Sequence, residues 1–271
     1  MHVTPIAGAL GAEISGIDLA DLDDDGLAAI RAAWLEHLVV FFRDQPLSGD
    51  EFVAFAGRIG AIGRYPFVPG IEGHPEIIAV LKEPHETTNF GGIWHSDTAY
   101  LERPPSATLL LARELPPTGG DTMFANQYLA YETLSPRLQE VLEPLRAINS
   151  SAMADVSKTR EDRRKGSDDP VEDFEASHPV IRTHPETGRK ALYVNVAHTE
   201  RFDGMTVEES KGLLQFLHAH QVKPELTCRF RWEVGSLAMW DNRCCQHNPI
   251  NDYQGHRRLL HRITLEGDVP A

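Results

Sequence analysis

The rhythm of the apolar residues is what most limits how this chain can fold. Short β-branched or aromatic runs recur, cut by turn residues, with few helical stretches between them. Residues 76–81, 107–113, 122–125, 191–196, 227–232, 236–240 and 259–265 read as strands, as does the apolar VVFF at 39–42. The turn sequences PPTGGD (116–121), HPETG (184–188) and EVG (233–235) separate several of them. Helix signals are fewer. Ser48 with Glu51 and Thr206 with Glu209 form capping-box patterns ahead of apolar stretches, 25–37 has amphipathic spacing, and 136–145 reads as a further helix. Strands and helices do not alternate, which disfavours a parallel sheet built from βαβ units. The expectation is a mainly β fold of antiparallel sheets with flanking helices, a sandwich or jelly roll.

The 271 residues fit a single domain over 1–271. One stretch departs from the pattern: 155–176, with KTREDRRKGSDDPVEDFE at its centre, reads as a disordered loop or a mobile lid. Forty acidic residues against 26 basic ones give a net charge of −14, so nucleic acid is excluded as a partner. A few local arginines can still hold a small anion inside an acidic protein. No apolar run approaches the ~20 residues needed to span a bilayer, and the first residues lack a basic, apolar leader. Three cysteines, with Cys244 and Cys245 adjacent, make no disulfide framework, so a reducing cytoplasm is expected. Nothing in the sequence fixes the oligomeric state, and a homo-oligomer is compatible with it.

The chemistry is concentrated in two places. In Gly91–Thr98 (GGIWHSDT), His95 and Asp97 stand two residues apart, which on an extended strand points both side chains to one face. Alone, H-x-D is equally a polar strand end. The later WDNRCCQHNP (240–249) adds His247 after a strand, followed by the arginine-rich 256–262. Two histidines and one carboxylate on one side of a metal leave open positions, the pattern of non-haem Fe(II) oxygenases. Arg258, Leu260 and Arg262 share one face of the last strand. Trp94 and Trp240 read as packing residues, Asp241 and Asn242 as turn-closing, and the cysteines as reduced core residues.

At this point the sequence resembles the taurine dioxygenase family of Fe(II)/2-oxoglutarate-dependent oxygenases, which includes alkylsulfate and phenoxyalkanoate dioxygenases. The resemblance runs through GALGAEISGIDL (8–19), VVFFRDQPLS (39–48), WHSDTAYLERPPSATLLLARELPPTGGDTMF (94–124), HPVIRTHPETGRKALYVN (178–195) and WDNRCCQHNPINDYQGHRRLLHR (240–262). It implies a double-stranded β-helix, a cupin-like jelly roll, with His95, Asp97 and His247 as iron ligands. It also implies that Arg258 and Thr122 hold the distal carboxylate of 2-oxoglutarate, since a guanidinium fork and a hydroxyl suit a carboxylate.

The implied reaction consumes Fe(II)-bound 2-oxoglutarate and O2, hydroxylates a small organic anion, and releases succinate and CO2. Because Asp97 is retained, hydroxylation rather than halogenation is expected. Arg262 keeps the position that helps hold the substrate's anionic group in the taurine enzymes. An ungapped comparison puts Tyr65 in place of their pocket histidine, Gly91 near their pocket asparagine, and His198 in place of an aromatic residue. A sulfonate, alkyl sulfate or phenoxyalkanoate is therefore expected as substrate, with taurine itself a poor one. Two other readings stand beside this one. A zinc hydrolase could use the same triad, and a non-catalytic jelly roll could bind a small acid; neither accounts for all of these matches.

Overall fold

Alternation along four neighbouring strands sorts the apolar residues into two cores on opposite faces of one sheet. The protein is described here by a computed structural model covering residues 1–65, 68–153 and 174–271. Its first half runs β1 (His2–Pro5), β2 (Ala12–Ser15), α1 (Asp24–His37), β3 (Val39–Phe42), α2 (Gly49–Ile59), β4 (Ile78–Lys82), β5 (Ala107–Glu114), β6 (Thr122–Asn126), α3 (Gln127–Glu132) and α4 (Pro136–Leu142). Then follow β7 (Arg146–Ser150), β8 (Glu175–Pro179), β9 (Ile181–Thr183), β10 (Lys190–Leu192), β11 (Thr199–Phe202), α5 (Val207–His220), β12 (Thr227–Phe230), β13 (Leu237–Asp241), β14 (Cys245–Pro249) and β15 (Arg258–Leu265).

The large sheet has the order β1-β2-β3-β13-β5-β15-β4, and β12-β6-β14 form a smaller one. Pairing is antiparallel except between β2 and β3. Val40, Phe42, Leu109, Leu111, Leu237, Met239, Ile263 and Leu265 face α1 and α2, meeting Ile30, Trp34, Phe52 and Phe55. The intervening residues of the same strands, Val39, Phe41, Leu110, Ala112, Ala238, Trp240 and Leu260, face the small sheet through Phe124, Cys228, Phe230 and Cys245. Period-two alternation therefore fixes which side chains look into the space between the sheets. Arg258 and Arg262 share the parity of Leu260 and so point inward, as the sequence suggested.

Both capping boxes form, at Ser48–Glu51 and Thr206–Glu209. Helix α4 is shorter than expected and stops at Leu142, because β7 begins at Arg146. The strand expected over 191–196 stops at Leu192. Beyond it the Asn195 side chain accepts from the His198 amide and the Asn195 carbonyl from Thr199, a side-chain-closed turn in place of an extended run. The lid expected over 155–176 lies outside the described residues except for its end, where Glu175 and Ala176 belong to β8. Among the described residues no helix is long and apolar enough to cross a membrane.

A buried ionic knot anchors the turn between β13 and β14. Arg243 donates to both carboxylate oxygens of Asp241, at 2.8 and 2.7 Å, and to Glu186 at 2.8 Å. His184 donates from Nε2 to Asp241 at 2.9 Å, while its Nδ1 accepts the Glu186 and Thr187 amides. Glu186 also accepts from Arg31 of α1. The knot thereby ties the β9–β10 hairpin and α1 to the strand pair that carries His247. Burial alone would raise the Asp241 pKa, but Arg243 and His184 bring it from 3.8 down to about 2. The carboxylate's stabilising contribution is thus present above about pH 4 and lost as the pH falls through 2. Asp241→Asn leaves Arg243 buried beside a neutral amide, and a loss of about 3 kcal/mol is expected in urea denaturation at pH 7. The difference from the parent protein should shrink as the pH is lowered from 4 to 2.

Candidate active site

The site lies on the inner face, between β14 and β6 on one side and β15, β5 and β4 on the other. His247 sits within β14 rather than after a strand, opposite Phe124 of β6. His95, by contrast, is not on a strand. It forms one isolated bridge to His247, its amide donating to the His247 carbonyl at 3.0 Å and its carbonyl accepting from the His247 amide at 2.9 Å. Asp97 follows two residues on, at the start of a turn whose Thr98 has a φ of 43°, with the Asp97 amide 3.4 Å from Asn242 Oδ1. The expected i, i+2 strand geometry is thus replaced by a bridge followed by a tight turn, with the same convergence.

His95 Nε2 lies 3.7 Å from Asp97 Oδ1, and His247 Nε2 lies 4.0 Å from the same oxygen. One donor atom from each residue falls within 4.8 Å of the others. Cis ligands each about 2.1 Å from one ion stand about 3 Å apart, and the two measured carboxylate separations lie within about 1 Å of that spacing. The tautomers suit it as well. His95 Nδ1 donates to the Ile93 carbonyl at 2.7 Å, which leaves Nε2 with its lone pair. His247 is held by ring contacts, 4.1 Å from His95 and 4.6 Å from Trp240 between centroids. Burial, followed by the nearby charges of His95 and Arg262, keeps His247 neutral. Burial pushes Asp97 up, but Arg262, the two histidines and a hydrogen bond from Thr108 outweigh it and hold the carboxyl well below the usual range. A buried carboxylate facing two imidazoles is a donor set that suits a cation.

A second grouping, His184, Asp241 and Cys244, also lies close together. Its oxygens and ring nitrogens are already spent on Arg243 and backbone amides, so it serves the ionic knot and not a metal.

Next to the triad, a cleft is walled by Leu110, Thr122, Tyr253, Arg258, Arg262 and Asn89. Arg258 is buried, and its Nε and Nη2 have no hydrogen-bond partner among the described residues. Trp232 and Tyr253 flank its guanidinium at 5.9 and 5.8 Å. Gly120 permits this approach, since a Cβ there would stand 3.2 Å from Arg258 Cδ and Nε. Thr122 accepts from the Trp232 indole at 3.0 Å. An indole N–H can only donate, so the Thr122 hydroxyl proton is left for a further acceptor. Two unpaired guanidinium donors and a free hydroxyl proton thus face one cleft, a cradle for a carboxylate.

Arg262 lies on the metal side. Its Nη1 is 3.6 Å from Asp97 Oδ1, Nε and Nη2 have no hydrogen-bond partner among the described residues, and Tyr65 and Phe90 cover the guanidinium at 4.3 and 5.2 Å. His198 is buried, edge-on to Tyr100 at 4.9 Å and 6.0 Å from the His95 ring. Burial and then His95 lower its pKa to about 3, and its Nδ1 is unpartnered among the described residues. Of the eight residues singled out in the sequence, His95, Thr122, His247, Arg258 and Arg262 line this cleft, Asp97 stands against its two histidines, Tyr65 lies over Arg262 while lining a separate cavity, and His198 meets the site through the His95 ring.

Others were missed. Asn89 supplies the cleft with an amide that the comparison at Gly91 did not find; it accepts from Tyr253 Oη at 2.8 Å and donates to the Pro249 carbonyl at 3.2 Å. Asn242 does more than close a turn, because it bonds Thr108, which in turn bonds Asp97. Thr108 looks in sequence like any strand threonine.

Comparison with known proteins agrees with this geometry. The profile of the family described as "Taurine catabolism dioxygenase TauD, TfdA family" matches residues 2–264. An alpha-ketoglutarate-dependent sulfate ester dioxygenase of Pseudomonas putida is 36% identical over all of this chain and 91% of its own. An alkylsulfatase of Acinetobacter baylyi is 35% identical over 99% of this chain and 86% of its own. A crystal structure of a taurine dioxygenase from Burkholderia xenovorans superposes with a TM-score of 0.84 at 37% identity, covering 100% of this chain and 92% of that one. Matched in this way along nearly its whole length, the chain belongs to the TauD/TfdA family of dioxygenases.

Proposed function

We propose that this Fe(II)- and 2-oxoglutarate-dependent dioxygenase hydroxylates a small organic anion, with alkyl sulfates its preferred class. The observation that carries the reading is the cleft itself. A histidine–aspartate–histidine donor set stands beside a buried arginine whose two free N–H groups and neighbouring threonine hydroxyl await a carboxylate. In this reading His95, Asp97 and His247 hold the iron, and Arg258 with Thr122 holds the distal carboxylate of 2-oxoglutarate. Fe(II) with 2-oxoglutarate and O2 supplies the oxidation that inserts oxygen into a substrate C–H bond while succinate and CO2 leave. The protein orients the reactants and keeps the cleft dry. A zinc hydrolase would have no use for the carboxylate cradle, and a passive binding module no use for three converging metal donors.

Arg262 holds the substrate's anionic group, its guanidinium pre-set by the Tyr65 and Phe90 rings. His198, kept neutral by burial, offers a ring nitrogen beside it. Two of the relatives described above are named for sulfate esters or alkyl sulfates, and this supports that class. Hydroxylation of the carbon bearing a sulfate ester gives a product that collapses to an aldehyde and free sulfate. We read the two facing sheets as a jelly roll forming one domain over 1–271, and place the protein in the cytoplasm, where its three buried thiols stay reduced.

Three outcomes are expected. Asp97→Ala abolishes Fe(II)-dependent succinate formation and weakens metal binding in a Co(II) titration; undiminished turnover would remove Asp97 from the metal site. Arg258→Ala weakens 2-oxoglutarate binding at least tenfold in anaerobic titration, the scale of a charge-assisted hydrogen bond, and an unchanged curve would assign the carboxylate to another residue. In kcat/KM measurements an alkyl sulfate exceeds both taurine and a phenoxyalkanoate, and Arg262→Ala loses tenfold or more on the best substrate. Taurine in first place would refute the substrate class.

A further inference from the structure

Asp97 is held by a directed chain of hydrogen bonds that begins at Trp240. The indole N–H of Trp240 donates to Asn242 Oδ1 at 3.0 Å. Because an indole can only donate, the amide oxygen of Asn242 must face it, and the amide NH2 must face the other way. That NH2 donates to Thr108 Oγ1 at 2.9 Å. With its oxygen so occupied, Thr108 spends its single proton on Asp97 Oδ2, at 2.6 Å. Asn242 Oδ1 also lies 3.4 Å from the Asp97 amide. Trp240, Asn242 and Thr108 are all buried, so water does not compete for these bonds. The other carboxylate oxygen, Oδ1, is the one that faces His95, His247 and Arg262.

We propose that Thr108, oriented by Asn242 and Trp240, is a positioning residue that confines Asp97 to one metal-ligating oxygen and so keeps a coordination position free for O2. This rests on the reading of His95, Asp97 and His247 as the iron site. A carboxylate can offer a metal one oxygen or two. Three single-atom protein donors leave an octahedral ion three positions, enough for two-point chelation by 2-oxoglutarate and one more ligand. A second oxygen from Asp97 would take the last of them. Turning Oδ2 toward the metal requires breaking the Thr108 bond, and the relay opposes that turn.

The test compares Thr108→Val, which keeps the shape and loses the hydroxyl, with Thr108→Ser, which keeps the hydroxyl. Two quantities are read: the affinity for Co(II) as an oxygen-stable substitute for Fe(II), and the affinity of the anaerobic Fe(II)–2-oxoglutarate protein for nitric oxide, a probe of the position open to O2. The expected result for Thr108→Val is a split. Co(II) binding stays within threefold of the parent or tightens, while nitric oxide binding weakens at least tenfold; Thr108→Ser restores it to within threefold. A purely structural role would weaken both together, and that parallel loss overturns the proposal, as does unchanged nitric oxide binding or a Thr108→Ser protein that behaves like the valine variant. If Thr108→Val does not fold by circular dichroism, Trp240→Phe breaks the relay at its far end, with the same split expected and the same parallel loss overturning it. Parent protein that binds no Co(II), or Asp97→Ala that binds it normally, would instead refute the iron site, and the relay with it.

Discussion

Two reciprocal backbone bonds join His95 to His247, and most of the site is arranged around them. The bridge fastens a residue from an otherwise irregular stretch to the middle of β14, which the small sheet and the ionic knot at Asp241 already hold in place. With the two imidazoles fixed this way, Asp97, two residues on, is held against them by bonds to Thr108 and Asn242. A metal site built on a β-bridge takes its precision from the sheet and not from the loop, because strand positions are set by many bonds and loop positions by few.

The inner face carries an unusual load of charge for a β core. Arg258, Arg262 and Asp97 are each no more than 5% exposed. Burying such groups is costly unless each is partnered. Asp97 has Thr108 and the nearby Arg262, whereas both arginines retain N–H groups without a hydrogen bond among the described residues. Aromatic rings cover part of both guanidiniums, which softens the desolvation without satisfying their donors. In the proposed reading the remaining demand is met when the 2-oxoglutarate carboxylate and the substrate anion enter, so the penalty stored in the free protein becomes affinity for its ligands.

Much of this is legible in the chain. Period-two alternation in HRRLLHR is enough to place Arg258 and Arg262 on the inner face, because pleating leaves no other choice once Leu260 is buried. H-x-D is legible as a metal motif but not as a turn, since nothing at 95–98 announces a positive φ at a threonine. Thr108 and Asn242 cannot be found in this way. They lie 134 residues apart, and only the pairing of β5 with β13 makes them neighbours. The short strands β7, β8 and β11 also give no signal, because RAINS, EASHP and TERF owe their extension to one another and not to apolar patterning.

The spacing of the two arginines along β15 bears on how such a protein can drift in sequence. Arg258 and Arg262 look into the same cleft because they stand four positions apart, an even offset on one pleated strand. A single inserted or deleted residue between them would turn one guanidinium to the helix-covered face, where it would meet the packing around Ile263 and Leu265. A point substitution at Tyr65 or Phe90, which lie over the Arg262 guanidinium, leaves that register intact. Lineages descending from this chain are therefore expected to diversify their substrates by point substitution in the walls while the length of that strand segment stays constant.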